Sequence, residues 1–67
     1  DTVYSVTRDF FVFKSDGYYG LLEKIRGPVV TAFENPPLVY KEFIRFQDAN
    51  RLVWFDMKNQ HIIYSKQ

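Results

Sequence analysis

The chain repeats itself at a fixed offset, which leads from Phe10 to Phe43. Residues 8–30 align without a gap with residues 41–63, and we call the shift between these two copies the repeat offset. A fixed period constrains the fold strongly, because each copy must build the same unit and must turn at matching places. We therefore interpret 1–67 as a single small domain that contains this internal repeat.

The chain has to stabilise a thin core without covalent help. It has 67 residues, no Cys and one His. A chain of this size buries only about 60% of the surface that its unfolded form exposes. The composition excludes disulfides and thiolate metal sites, and a single His argues against a protein-built zinc centre. We predict no metal and no cofactor. Aromatic residues make up 19% of the chain, so dense ring packing or association with a partner must supply the stability.

The sequence pattern is typical of β-structure. Val, Ile, Phe, Tyr, Trp and Thr occur in short runs, and turn residues separate these runs at intervals of about 8–12 residues. We predict an all-β fold of about six short antiparallel strands in two meanders, as a small barrel, a roll or part of a repeat array. The predicted strands are 2–13, 18–23, 28–33, 38–46, 51–56 and 61–64.

Local signals place the turns and leave one alternative. Asp16-Gly17 is a strong hairpin signal, and the two prolines of segment 34–37 mark a linker or corner. The first run is long for one strand, and its alternation shifts near Phe10, which predicts a bend or bulge. The alternative is an α+β fold with one helix near 18–26, where Leu21, Leu22 and Ile25 have helical spacing.

The charges exclude several classes of function. The net charge is +1 and acidic and basic residues alternate, so no basic stripe indicates binding to a phosphate backbone. No apolar run has the length of a membrane span, and no signal-peptide pattern is present. The absence of Cys favours a reducing, cytoplasmic location.

No arrangement of residues indicates catalysis, and we predict that the chain is not an enzyme. No Ser lies in a nucleophile elbow. Glu23 and Asp56 are equivalent in the repeat, as are Asp9 and Glu42. Two acids facing each other would suit a glycosidase. We prefer the interpretation that these acids mark equivalent solvated faces and pair with Arg8, Lys41, Lys24 or Lys58.

The aromatic residues carry the functional signal. Tyr18, Tyr19, Trp54 and Phe55 occupy neighbouring places in the two copies, and Arg51 lies close to the second group. Rings on a β-surface anchor protein partners or stack on sugars and bases. We predict that these five residues form a contact surface for another protein or for a second copy or repeat. Binding of a glycan or of single-stranded nucleic acid is the alternative.

The segment DGYYGLLEKIRGPVVTAFEN resembles the WG-type repeat of bacterial proteins. That repeat has an aromatic–glycine pair, here Tyr19-Gly20, followed by apolar residues, an acid, a turn and a Val/Ile pair. The second copy departs from it, since Leu52-Val53 replaces the pair and Trp54 falls one place late. The resemblance implies a β-repeat scaffold for binding and no catalytic residues.

Overall fold

A computed structural model describes residues 2–67 of the chain. The chain divides into two compact units, Asp1–Glu34 and Asn35–Gln67. We call them the N-terminal and the C-terminal unit. Each unit contains one open sheet of four antiparallel strands that follow one another in sequence order.

The strands of each sheet are short and are joined by tight connections. The N-terminal sheet consists of β1 (Thr2–Ser5), β2 (Phe10–Ser15), β3 (Tyr18–Glu23) and β4 (Gly27–Phe33). The C-terminal sheet consists of β5 (Leu38–Tyr40), β6 (Phe43–Gln47), β7 (Leu52–Asp56) and β8 (His61–Lys66).

The prediction of an all-β fold in two antiparallel meanders is confirmed, with two corrections. The sheets are open and do not form a closed barrel. Residues 2–67 form eight strands because the first predicted strand of each copy is two strands, with breaks at residues 6–9 and 41–42. Lys41 turns with a φ of 54°, and a positive φ at the first loop position is typical of two-residue hairpins.

The alternative of a helix near 18–26 is wrong. Residues 18–23 form β3, and no helix occurs among residues 2–67. The helical spacing of Leu21 and Leu22 is local, whereas the strand on each side of β3 supplies partners for its backbone groups. Tertiary pairing therefore outweighs the local pattern.

The central strand pairs of the two sheets, β2–β3 and β6–β7, use the same register at positions related by the repeat offset. Phe10 pairs with Glu23 in the N-terminal sheet, and Phe43 pairs with Asp56 in the C-terminal sheet. The pairing with the last strand shifts after Leu21 in one sheet and after its equivalent, Trp54, in the other. The backbone also matches where the last turn of each unit meets the last strand, because Gly27 and its equivalent Gln60 both have positive φ.

Gly20 marks a place where the backbone needs room. A Cβ atom there would lie 2.5 Å from the Phe13 ring and would also clash with the carbonyl oxygen of Val30. The lack of a side chain at Gly20 therefore permits this close approach. Val53 occupies the same register position in the C-terminal sheet, opposite Phe46.

The two sheets bury opposite faces. Alternate residues of a strand point to opposite sides of the sheet. In β2 the buried residues are Phe10 and Val12, whereas in β6 they are Ile44 and Phe46. The buried positions of β6 therefore lie one residue later than the equivalents of the buried positions of β2. The core residues are Phe10, Val12, Leu21, Val30 and Phe33 in one unit and Ile44, Phe46, Phe55 and Met57 in the other.

Candidate aromatic contact surface

The predicted site residues lie in both units and on different faces. Tyr18 is exposed and Tyr19 is half-buried, with the Lys14 ammonium 5.3 Å from the Tyr19 ring centre. As neighbours in β3, the two tyrosines point to opposite sides. Their place in a contact surface remains a prediction. Phe55 is only 2% exposed, so it is a core residue and its assignment to a surface is corrected.

Trp54 belongs to a cluster of large side chains on the C-terminal sheet. The Trp54 and Tyr40 rings have their centres 5.4 Å apart and are tilted by 39°. Trp54 pairs with Arg45 on one side and with Tyr64 on the other. Tyr40 and Tyr64 are about half exposed, at 45% and 50%. We call Tyr40, Arg45, Trp54 and Tyr64 the aromatic face.

Arg45 lies against both rings of the cluster. Its guanidinium carbon is 6.0 Å from the centre of the Tyr40 ring and 5.9 Å from that of Trp54. Such contacts contribute about 0.5–2 kcal/mol each, depending on desolvation. They also fix the position of the guanidinium group on the sheet.

The Arg45 side chain has an unused hydrogen-bond donor. Among residues 2–67, its Nε is a buried nitrogen without a hydrogen-bond partner, and none of the described ion pairs involves Arg45. A buried donor without an acceptor costs about 1–3 kcal/mol. Such a cost in a native structure needs an explanation, and an external acceptor is one.

The N-terminal unit has no counterpart of this face. The strand pair Arg45–Trp54 corresponds to Val12–Leu21, which has the same register. Val12 and Leu21 are fully buried. Carried back by the repeat offset, Tyr40 and Tyr64 correspond to Thr7 and Thr31. The aromatic face is therefore specific to the C-terminal unit.

Sequence reasoning missed three of the four residues of this face. It singled out Trp54, but Tyr40, Arg45 and Tyr64 lie on three other strands. The register of each strand pair decides which residues meet, and the sequence contains only the alternation within a strand. The signal that could have found Arg45 is the replacement of a repeat-equivalent Val by an Arg inside an apolar strand.

The repeat-equivalent acids Glu23 and Asp56 cap turns. Oε1 of Glu23 accepts hydrogen bonds from the backbone N–H groups of Ile25 and Arg26, at 3.0 and 2.7 Å. Oδ1 of Asp56 accepts from Lys58 and Asn59, at 2.9 and 3.1 Å.

These two residues are 4% and 6% exposed, so the interpretation that they mark solvated faces is wrong. Of the predicted pairings, Asp9 does contact a lysine, with 3.3 Å between its Oδ1 and Nζ of Lys24. A carboxylate that accepts several turn hydrogen bonds is committed to structure, which leaves the glycosidase hypothesis without a free acid pair in this place.

The turn hydrogen bonds also fix the charge state of both acids. The backbone N–H of Arg26 lowers the pKa of Glu23, and burial opposes this effect. The backbone N–H of Asn59 lowers the pKa of Asp56, again against burial. The hydrogen bonds prevail because they bind the charged form. Both acids are therefore ionised at neutral pH.

Arg51 forms an ion pair within the 48–51 turn, with a residue outside the aromatic face. Its Nη2 is 3.8 Å from Oδ2 of Asp48. It lines an open groove of about 500 Å³ at the 48–51 turn, together with Asp48, Leu52 and Lys66. Asp48 also accepts hydrogen bonds from the backbone and side chain of Asn35. Asp48 thus binds both Arg51 and Asn35, and the role of Arg51 in partner binding stays a prediction.

The described residues contain neither a candidate metal site nor a candidate membrane-spanning helix. No group of three or more His, Asp or Glu side chains that could hold a metal ion occurs among residues 2–67. Within the same residues, no helix has the length and apolar character needed to cross a membrane.

Comparisons with known proteins show no relationship. No protein-family model matches the chain, no curated protein matches its sequence significantly, and no solved structure matches its fold significantly.

Proposed function

We propose that the chain is a non-enzymatic protein-interaction module and that the aromatic face is its contact surface. The observation that carries the proposal is the replacement of the buried pair Val12–Leu21 by the half-buried pair Arg45–Trp54 at the same register. A repeat that served only to fold would keep apolar residues at both places. Trp, Tyr and Arg are the residues most enriched at binding hot spots.

The size of the face favours a short segment of a partner. A large ring buries roughly 150–250 Å², so partly exposed rings at Tyr40, Trp54 and Tyr64 offer on the order of 200 Å². A standard globular interface buries about 800 Å² on each side. The aromatic face is therefore the anchor of a contact, and a peptide segment of a few residues covers it.

The repeat itself supports a scaffold role. We propose that residues 8–30 and 41–63 are copies of one structural unit, as the resemblance to WG-type repeats implies. The matching register of the central strand pairs, the register shift at equivalent places of the last strand pairs and the matching capped turns support this proposal. On this view one copy keeps the fold and the other presents the surface.

Selection from a random peptide library on the immobilised 67-residue chain tests the proposed function. The wild-type chain should enrich a family of related peptides. The double variant Arg45→Val, Trp54→Leu carries the N-terminal unit's own residues at these positions and should enrich none. Failure of the wild-type chain to enrich any family, or equal enrichment by the double variant, would contradict the proposal.

Self-association is the second form of partner, and sedimentation velocity detects it. If the partner is another copy, the mass of the wild-type chain should rise with concentration, and the double variant should remain monomeric. A concentration-independent monomer assigns the face to a different protein.

Glycan binding is the second candidate function, and the tilted Tyr40–Trp54 ring pair favours it. Two rings beside a guanidinium group can stack on a sugar and donate hydrogen bonds to it. Trp54 is the chain's single tryptophan, so its fluorescence reports directly on this face. A saturable change on titration with neutral or acidic oligosaccharides supports this function. A change with oligothymidylate instead supports binding of single-stranded nucleic acid.

A further inference from the structure

We infer that the aromatic face recognises an acidic side chain, Asp or Glu, set within an apolar peptide segment. This inference rests on the proposed function and names the chemistry of its partner. Arg45 lies against the Tyr40 and Trp54 rings and pairs with no carboxylate in the described ion pairs. Guanidinium groups bind carboxylates through two parallel hydrogen bonds.

The charge of the C-terminal sheet favours an anionic partner. The ionic residues in its strands, apart from His61, are Arg45, Lys66 and Asp56. Asp56 is occupied by the backbone N–H groups of Lys58 and Asn59 and by the Asn59 side chain. Two positive side chains therefore remain without a matching acid within the strands.

The surroundings of Arg45 make a carboxylate contact specific. The two rings lie beside the guanidinium group, and a hydrogen bond to an ion is stronger where water is excluded. Arg45 Nε is buried and lacks an acceptor. Tyr40 lies in a three-residue edge strand and is 45% exposed. Rotation of its ring would allow a carboxylate to reach Nε and a terminal nitrogen together.

The apolar part of the segment follows from the neighbours of Arg45. Leu38 is its register partner in β5 and is half exposed, and Leu52 in β7 is half-buried on the same side of the sheet. A ring of apolar contacts around a charged pair keeps water away from it. The partner is therefore an acidic residue flanked by aliphatic or aromatic residues.

The sequences of the peptides enriched from the random library test this inference. Peptides enriched by the wild-type chain should contain Asp or Glu beside apolar residues. Arg45→Gln should retain the apolar preference and lose the acidic one. Arg45→Lys keeps the charge but lacks the planar fork, and should weaken the acidic preference. Lys14→Gln removes the cation beside Tyr19 in the other unit and should change nothing.

Trp54 fluorescence then measures one enriched peptide against its Glu→Gln or Asp→Asn version. We expect the amide version to bind roughly tenfold more weakly to the wild-type chain and equally well to Arg45→Gln. Equal binding of both versions to the wild-type chain would overturn the acidic inference while leaving the proposed function intact. An absence of any enriched family would instead overturn the proposed function.

Discussion

The central strand pairs of the two units share a register, but the two sheets bury opposite faces. Val12 and Leu21 are paired and fully buried, whereas Arg45 and Trp54 are paired in the same way and half-buried. Conversely, Phe13 is half-buried and its counterpart Phe46 is fully buried. The same strand pairing thus supports two choices of buried face. The position of Val12 and Arg45 is therefore apolar in one unit and charged in the other.

This difference separates what sets the strand pairing from what sets the buried face. Backbone hydrogen bonds and capped turns hold the strands together in both units. They do not determine which face of the sheet is buried. The side chains then determine which face of each sheet is buried. The N-terminal unit keeps small and apolar residues, and the C-terminal unit uses the face freed from the core for rings and a guanidinium group.

Exchange of Val12 and Arg45 between the units should have the largest effect on stability. Val12→Arg places a charge without a partner in the core, and we expect a loss of about 4 kcal/mol or more in the free energy of unfolding. The reciprocal change, Arg45→Val, removes a half-buried charge with an unused donor and should alter this free energy by less than about 1 kcal/mol. Urea denaturation of both variants measures the difference. Equal losses would mean that the two faces are alike.

Exchange at the glycine position should have the next largest effect. Gly20→Val forces a Cβ against the Phe13 ring and the carbonyl of Val30, and overpacking of this kind costs about 3 kcal/mol. Val53→Gly leaves a half-buried strand position without a side chain and should cost about 1 kcal/mol. Thermal unfolding compares the two variants. A Gly20→Val chain as stable as Val53→Gly would show that Phe13 can move aside.

The capped turns should make both units sensitive to acid in the same way. Because the folded state lowers the pKa of Glu23 and Asp56, their contribution is complete above their ordinary values of about pH 4. It is lost as the pH falls through the lowered values. Glu23→Gln and Asp56→Asn should each flatten the fall in stability between about pH 5 and pH 2.

A surface acid provides the control for that experiment. Asp9 forms an exposed ion pair with Lys24, and such pairs contribute about 0–1 kcal/mol. Asp9→Asn should therefore leave the acid profile almost unchanged. A profile that flattens as much in Asp9→Asn as in Asp56→Asn would contradict the assignment of acid sensitivity to the capped turns.

The smallest effect on stability is expected at the rim of the aromatic face. Tyr64→Thr introduces the residue of the N-terminal unit at a half-exposed edge position and should change the free energy of unfolding by about 0.5 kcal/mol or less. The same variant should weaken binding of a selected peptide, as measured by Trp54 fluorescence. A large loss of stability without loss of binding would assign Tyr64 to folding.

The sequence predicted the strands far better than the surface. Runs such as Tyr18–Glu23 and Leu52–Asp56 were placed within a residue, because alternation, turn residues and the repeat offset agree there. The strand count was too low because neither of the two missed breaks, at residues 6–9 and at residues 41–42, contains Gly or Pro. Phe55 and Trp54 were assigned to one surface, although adjacent strand residues point to opposite sides.

By itself, then, the sequence determined the β class, most of the turns and the recurrence of one pattern in both halves of the chain. These features depend on short-range chemistry: the alternation of apolar residues and the residues that permit sharp turns. Only the tertiary structure decided which face of each sheet is buried and which side chains meet Trp54. Both outcomes depend on pairing between residues distant in sequence, and the two faces of these strands are nearly equally apolar.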